Sequence, residues 1–422
     1  MLWAASAIFA FASGRELAYN LFYFITGVIV IALLWAWLNQ RGLTVRRATR
    51  THRSQVGKYF EETLELQNRS QWPKLWVEVH DFSDLPQHQV SRVVNSLGRT
   101  ATSRWQVRTL ARRRGRYTLG PITLSSGDPL GIFRFTRELP ETSSLVITPL
   151  AVDLPGFSPP IGYLPGGESI HRRTPYVTSS VSGIRDYYPG DSLNRIHWAS
   201  TARTGRLISK EFELDPLADV WIFLDMYEDA HAETPLQEED EDMVLPWLTQ
   251  RVPKAELPPS TVEYSVSIAA SLAHHFLQAD REVGFLSYAR TREVVQPDRG
   301  ERQLSRLQEI LAVIQARGRL PIAEALAIDG ASLARHTTLI VITPSVDPRW
   351  VTVLRSLRAR GVHGVAVLLA ARTFGPAPDW APVLADVQAS GLPAYVVQNG
   401  DDLAEALGRY ASGVGPRANI MR

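Results

Sequence analysis

The sequence predicts a multidomain chain: an N-terminal transmembrane hairpin, an antiparallel β-sandwich, then a doubly wound α/β domain. Three observations carry this prediction. Residues 17–38 hold no charged side chain, residues 55–150 alternate apolar and polar positions, and from about residue 218 short apolar runs alternate with helical patterns. The 422 residues leave room for about three such modules. The expected boundaries are 1–40 for the anchor, 41–150 for the sandwich, 151–215 for a connecting segment and 216–422 for the α/β domain.

The anchor comes first. At ~1.5 Å per residue, a helix over 17–38 reaches roughly 33 Å, enough to cross a hydrocarbon core. Tyr19, Tyr23, Trp35 and Trp37 stand near its ends, where amphipathic rings favour the interface. Residues 1–13 are also uncharged but short for a full span; they read as the first arm of a hairpin turning at Gly14-Arg15-Glu16. They lack the basic start of a cleaved signal peptide. After the anchor come Arg41, Arg46, Arg47, Arg50 and Arg53, with no acid before Glu61. Positive charge beside a span stays on the cytoplasmic side, so the expected location is the inner membrane with the body in the cytoplasm.

In the sandwich region, period-two runs such as Leu75-Trp76-Val77-Glu78-Val79 and Trp105-Gln106-Val107-Arg108 are separated by turn signals such as Asn68-Arg69-Ser70 and Gly127-Asp128-Pro129. From Arg92 to Arg137 there are ten arginines and one acid, Asp128. With a net charge of only +2 and little aromatic interleaving, nucleic acid is not expected; this surface reads as solvated strand faces near an anionic leaflet, with a phosphate or lipid-headgroup surface as the alternative. The absence of cysteine excludes disulfides, zinc–thiolate sites and thiol catalysis.

Residues 151–215 are rich in Gly, Pro, Tyr and charge, and have little periodicity, as expected for a wrapped connector. The α/β pattern then opens with Val220-Trp221-Ile222-Phe223-Leu224, ending at Asp225. Strands are expected near 282–289, 338–343, 363–370 and 394–398; helices near 261–279, 301–317, 348–360, 379–390 and 401–413. An insertion at 228–260 begins with eight acids between Glu228 and Asp242 and no Lys or Arg, which suits a solvated loop.

One stretch is denser in chemistry than the rest: Gly183-Ile184-Arg185-Asp186-Tyr187-Tyr188-Pro189-Gly190-Asp191, then Arg195-Ile196-His197-Trp198, Ser200-Thr201-Ala202-Arg203 and Lys210-Glu211-Phe212. Tyr188-Pro189-Gly190-Asp191 reads as a turn, and Asp191 as the cap of a short helix running to Trp198. The stretch resembles the family catalogued as domain of unknown function fifty-eight, whose signature runs R-x-Y-x-P-G-D-x-x-R-x-I-x-W and then S-A-R. Arg185, Tyr187, Pro189, Gly190, Asp191, Arg195, Ile196, Trp198, Ala202 and Arg203 are in register. Arg113-Arg114-Gly115-Arg116-Tyr117 and Gly127-Asp128-Pro129-Leu130-Gly131-Ile132-Phe133 are similar to two further family segments.

The resemblance implies a membrane-bound cytoplasmic protein whose last domain is von Willebrand A-like. It also implies genomic proximity to MoxR-type AAA+ ATPases and transglutaminase-like membrane proteins. Such domains often hold Mg²⁺ through D-x-S-x-S, with a threonine and an aspartate from later loops. Here the strand end reads Asp225-Met226-Tyr227-Glu228-Asp229, and Thr343-Pro344-Ser345 lacks an acid at its tip, although Asp347 is near. The expectation is a degraded, inactive metal site and no cofactor. Asp191, His197 and Ser200 contain the residue types of a hydrolase trio, but sequence proximity does not make a triad. His274-His275 lie on an apolar helical pattern and are expected to pack. The reading is a non-enzymatic membrane adaptor that binds an AAA+ ATPase or envelope proteins, with cation-dependent adhesion or sensing as the alternative and hydrolysis third. Arg185, Asp191, Arg195 and Lys210 would then join domains or bind a partner.

Overall fold

The computed structural model describes residues 1–49, 51–157, 172–173, 181–187, 196–214, 219–234 and 257–409. It divides into two compact units, Met1–Thr148 and Pro149–Arg422.

The first unit opens with helices α1 (Leu2–Ser13) and α2 (Glu16–Gln40), with Gly14 in the left-handed region at the turn. Trp3 Nε1 donates to Thr26 Oγ1 at 2.9 Å, so the helices pack side by side. Among the described residues, only α2 is long and apolar enough to cross a membrane. Its outward side chains include Leu21, Phe24, Ile31 and Leu34.

The chain passes from α2 into β1 (Leu43–Thr49), followed by β2 (Arg53–Gln55), β3 (Tyr59–Asn68), β4 (Lys74–Asp81), β5 (Arg92–Leu97), β6 (Thr102–Leu110), β7 (Gly115–Leu119), β8 (Ile122–Gly127), β9 (Arg134–Leu139) and β10 (Ser143–Thr148). The sheets run β1-β3-β6, β2-β10-β7 and β5-β4-β8-β9. Leu64 and Leu66 of one sheet meet Val77, Val79 and Leu124 of another in a common core, as alternation predicts. Pairing is antiparallel except that β2 lies parallel to β10, a departure from the expected all-antiparallel region. Residues 53–55 and 143–148 are far apart in sequence, so no hairpin constrains their direction.

The last turn of α2 is bound to this β region. Asn39 Nδ2 donates to the Leu75 carbonyl at 2.6 Å and to the Gly127 carbonyl at 3.2 Å, while Asn39 Oδ1 accepts from the Leu75 N–H at 3.0 Å. The fully buried Lys74 ammonium donates to the Leu38 carbonyl, where a helix end leaves acceptors unsatisfied. Burial pulls the Lys74 pKa below the usual lysine range.

The second unit holds a small sheet, β11 (Arg172–Arg173), β12 (Val181–Asp186) and β13 (Ile208–Leu214), in the order β11-β13-β12, with helix α3 (Trp198–Thr204) between the last two strands in sequence. The α/β layer follows: β14 (Val220–Leu224), α4 (Thr261–Gln278), β15 (Val283–Tyr288), β16 (Arg292–Asp298), α5 (Gly300–Val313), α6 (Ile322–Gly330), β17 (Thr338–Thr343), α7 (Arg349–Ala359), β18 (His363–Leu369), α8 (Ala381–Ala389), β19 (Ala394–Val397) and α9 (Leu403–Gly408). Its sheet runs β16-β15-β14-β17-β18-β19, parallel except for β16. Residues of α4, α5 and α9 share one core with one sheet face; residues of α6, α7 and α8 share the other. Burial on both faces accounts for strands with unbroken apolar runs such as Leu339-Ile340-Val341-Ile342. Strand β16 and helix α6 are additional to the elements expected from the sequence. Most of the expected insertion, residues 235–256, lies outside the described residues.

Candidate functional site

In this sheet the strand order reverses between β14 and β17, whose helices leave toward opposite faces. The crevice at the carboxyl ends of two such strands is where open α/β sheets receive ligands. Asp225 stands there, immediately after β14, and is 3% exposed. Its Oδ2 accepts from the Thr343 hydroxyl, at the end of β17, at 2.6 Å. Its Oδ1 accepts from the Tyr227 N–H at 3.0 Å. Burial raises the Asp225 pKa to about 6, and these two hydrogen bonds oppose the rise only in part. His231 Nε2 donates to the Asp225 carbonyl at 3.0 Å, and His231 Nδ1 lies 3.0 Å from Thr261 Oγ1.

The neighbouring groups are also engaged with one another. The Tyr227 hydroxyl donates to Asp229 Oδ2 at 2.7 Å. Gly318 bridges to Tyr227, its N–H donating to the Met226 carbonyl at 2.9 Å; a Cβ at Gly318 would lie 2.7 Å from that oxygen. Ser345 N–H donates to Thr343 Oγ1 at 2.9 Å, and Asp347 pairs with Arg349 at 2.7 Å. The Arg349 hydrogen bond holds the Asp347 carboxyl below the usual carboxylate range.

This donor set does not fit Mg²⁺ bound in the manner the resemblance implies. Each Asp225 oxygen already has a donor, and Tyr227 and Asp229, which replace the serines, bond to each other. Among the described residues no group of three or more His, Asp or Glu side chains is placed to hold a metal ion. Thr343 is the partner that sequence reasoning undervalued. Its place at the end of an apolar strand was visible, but its register beside Asp225 required the sheet order.

The signature stretch forms a second locus. Arg185 lies on β12 opposite Ser209, and Lys210 lies on β13 opposite Ile184. Tyr187 N–H donates to the Leu207 carbonyl at 2.9 Å. Ile196 is buried and forms a bridge to Ser209, so the expected helix over 191–198 is not formed at its end. Instead α3 begins at Trp198 and His197 caps it: Nδ1 accepts from Ser200 N–H at 3.2 Å and lies 2.8 Å from Ser200 Oγ. A ring accepts well at the helix start, where N–H groups lack partners, and this cap explains the His197–Ser200 pair without catalysis. On α3, Trp198, Ala202 and Arg203 are exposed, Trp198 by 66%. Pro189, Gly190, Asp191 and Arg195 lie outside the described residues.

The two further segments have local structural reasons. The Tyr117 hydroxyl donates to the Arg113 carbonyl at 3.1 Å, and its ring lies over Gly115, where a Cβ would stand 3.2 Å away. Asp128 Oδ1 and Oδ2 accept from the N–H groups of Phe133, at 2.6 Å, and Leu130, at 2.8 Å, closing the loop between β8 and β9. His274 lies 3.1 Å from Gln278 Nε2, and His275 packs edge-on against Phe157; burial first, then the His274 charge, lowers the His275 pKa.

Comparison with known families bears on the signature directly. Residues 183–245 match the family model "Protein of unknown function DUF58". This agrees with the resemblance read from Arg185 to Arg203. The chain is also similar to "Uncharacterized protein YeaD" of Bacillus subtilis (strain 168), 21% identical over 81% of this chain and 80% of that protein. Among solved structures, the CARDB domain of PF1109 from Pyrococcus furiosus is 17% identical, with a TM-score of 0.19 over 25% of this chain and 94% of that one. Proximal thread matrix protein 1 from the mussel byssus is 10% identical, with a TM-score of 0.30 over 45% of this chain and 46% of that one.

Proposed function

We propose that this protein is a non-enzymatic adaptor anchored in the cytoplasmic membrane. Its α/β domain is von Willebrand A-like and recognises a protein partner, a MoxR-type AAA+ ATPase or a membrane envelope protein. The observation that carries this reading is the exposed face of α3. Trp198 and Ala202 are four residues apart and therefore lie on one side of the helix, and Arg203 is exposed elsewhere on the same helix. A large exposed aromatic on a short helix that also exposes an arginine has the composition of a protein-binding hot spot. The self-bonded crevice at Asp225 supports recognition over chemistry. The arginines that follow α2 support a cytoplasmic body, and α1 with α2 forms the membrane hairpin in this reading.

Affinity capture of the full chain from native membranes, with and without ATP, tests this. The expected result is nucleotide-dependent recovery of an AAA+ ATPase, lost in Trp198→Ala and Arg203→Glu at unchanged melting temperature. Equal recovery by the variants would overturn the role of α3. Recovery of the protein alone, where the ATPase is abundant, would overturn the adaptor reading.

A further inference from the structure

Five of the seven large apolar side chains exposed on the described β region gather at one end of it: Trp72, Leu75, Trp76, Leu130 and Ile132. Phe82 stands at the other end, and Val93, opposite Glu78, part-way along β4. The populated end is the one to which α2 is bound. Leu75 exchanges hydrogen bonds with Asn39 in the last turn of α2, and Gly127, which opens the 128–133 loop, also accepts from Asn39. Arg69 N–H donates to the carbonyl of Gly42, just beyond the helix, at 2.8 Å, which places the turn before Trp72 at the same level.

The backbone is shaped to present these groups. Leu75 faces Ser96 and Val77 faces Val94, but Trp76 has φ 53 in the left-handed region, where a bulky residue is strained. Alternation would turn one of two successive side chains inward; here Leu75 and Trp76 are both exposed. The Asp128 carboxylate, itself buried, folds the 128–133 loop so that Leu130 and Ile132 point outward. Gly127 is needed for that turn, since a Cβ there would lie 2.7 Å from the Phe133 carbonyl. Residues 69–76 contain no acid, and the acid in 127–134 is Asp128.

We infer that this collar of Trp72, Leu75, Trp76, Leu130 and Ile132 inserts into the interfacial layer of the leaflet from which α2 emerges. The inference rests on reading α2 as a membrane span. Its apolar run ends at Leu38, so Asn39 sits at headgroup depth, and groups hydrogen-bonded to Asn39 sit within a few ångströms of that depth. Tryptophan and branched apolar side chains partition there, and Arg41, stacked 3.6 Å over Trp37, suits an anionic surface. The bilayer is the occupant because the chain is tied to it at this end. The opposite end is about 30 Å away, since β3 spans ten residues at ~3.3 Å each.

With no native cysteine, each single substitution creates one labelling site. Full-length Trp76→Cys, Leu130→Cys, Ile25→Cys in α2 and Arg112→Cys beyond the far end of β6 would each carry an environment-sensitive fluorophore. They would be reconstituted in phosphatidylcholine–phosphatidylglycerol vesicles with nitroxides shallow or deep in the acyl chain. Labels at 76 and 130 should lose more emission to the shallow quencher than to the deep one, the label at 25 more to the deep one, and that at 112 neither. Quenching at 25 with none at 76 and 130 would overturn the collar and leave the span intact. A blue shift at 76 and 130 without lipid quenching would mean a protein covers the collar, and would overturn the inference equally. No quenching at 25 would overturn the span and the collar with it.

Discussion

Asp225→Asn should stabilise the α/β layer at neutral pH. The carboxyl is fully buried and its pKa stands at about 6, against an ordinary value near 3.8. Because the folded value is raised, the charged form is the one the fold disfavours. Below about pH 4 the group is protonated in both states and contributes no pH dependence. As pH rises through the window to about 6, the unfolded chain ionises first and stability falls. A shift of ~2 units corresponds to about 3 kcal/mol at neutral pH. The amide keeps an oxygen for Tyr227 N–H and offers Nδ2 to Thr343 Oγ1, with a mismatch costing about 1 kcal/mol. The net expectation is a gain of about 2 kcal/mol at pH 7 that crosses zero between about pH 4 and 5 and becomes a loss of about 1 kcal/mol below that, where only the mismatch remains. Hydrogen exchange of amides in Val220–Leu224 and Thr338–Thr343, corrected for intrinsic rates, reads this difference in the full chain. A variant that is less stable at pH 7, with a difference flat in pH, would refute the reasoning; Asp225 would then hold a compensated charge.

Three further outcomes follow from the same geometry. Mg²⁺ or Mn²⁺ should leave the melting temperature unchanged, because both Asp225 oxygens are occupied by donors; a rise abolished by EDTA and by Asp225→Ala would contradict this. Glu62 is buried in the β region, 2.7 Å from Arg47 Nε and 2.8 Å from His88 Nε2, with Asp81 also on Arg47. Glu62→Gln should lower stability by about 2 kcal/mol in urea unfolding, since Arg47 keeps Asp81 as counter-charge and the loss is that of charge-assisted hydrogen bonds; a neutral result would show that the cluster relaxes to water. His197→Ala should cost about 1 kcal/mol by removing the α3 cap, visible as faster exchange at Ser200 and Thr201 with the β14–β19 sheet unaffected.

Elements with strong periodicity were legible in the sequence. Thr338–Thr343 lies where the apolar run placed it, and α4 lies within a residue of its expected ends. Edge and short elements were not. Strand β16 carries Arg292, Glu293, Pro297 and Asp298, so its alternation is masked by what an edge strand needs to avoid further pairing. Helix α6 is nine residues, too few for its periodicity to stand out. At the candidate site, Asp225 was visible as an acid ending an apolar strand. Its bond to Thr343 joins residues 118 apart in sequence and depends on β14 lying beside β17. The signature was recognised as dense chemistry, yet the helix start moved to Trp198 because Ile196 is captured by Ser209 in a bridge.

The join between α2 and the β region has a mechanical consequence. Asn39 and Lys74 bolt the last turn of α2 to the strand that follows Trp72, so in the proposed anchored reading the β region cannot swivel on a flexible tether. A rotation of α2 about its long axis, or a change in its tilt, must carry β1 and β4 along as a single lever. At about 30 Å from the pivot, a ten-degree tilt moves the far end of β3 by about 5 Å, so under the proposed reading of α2 as a span, bilayer thickness would reach the tip of this unit as a displacement.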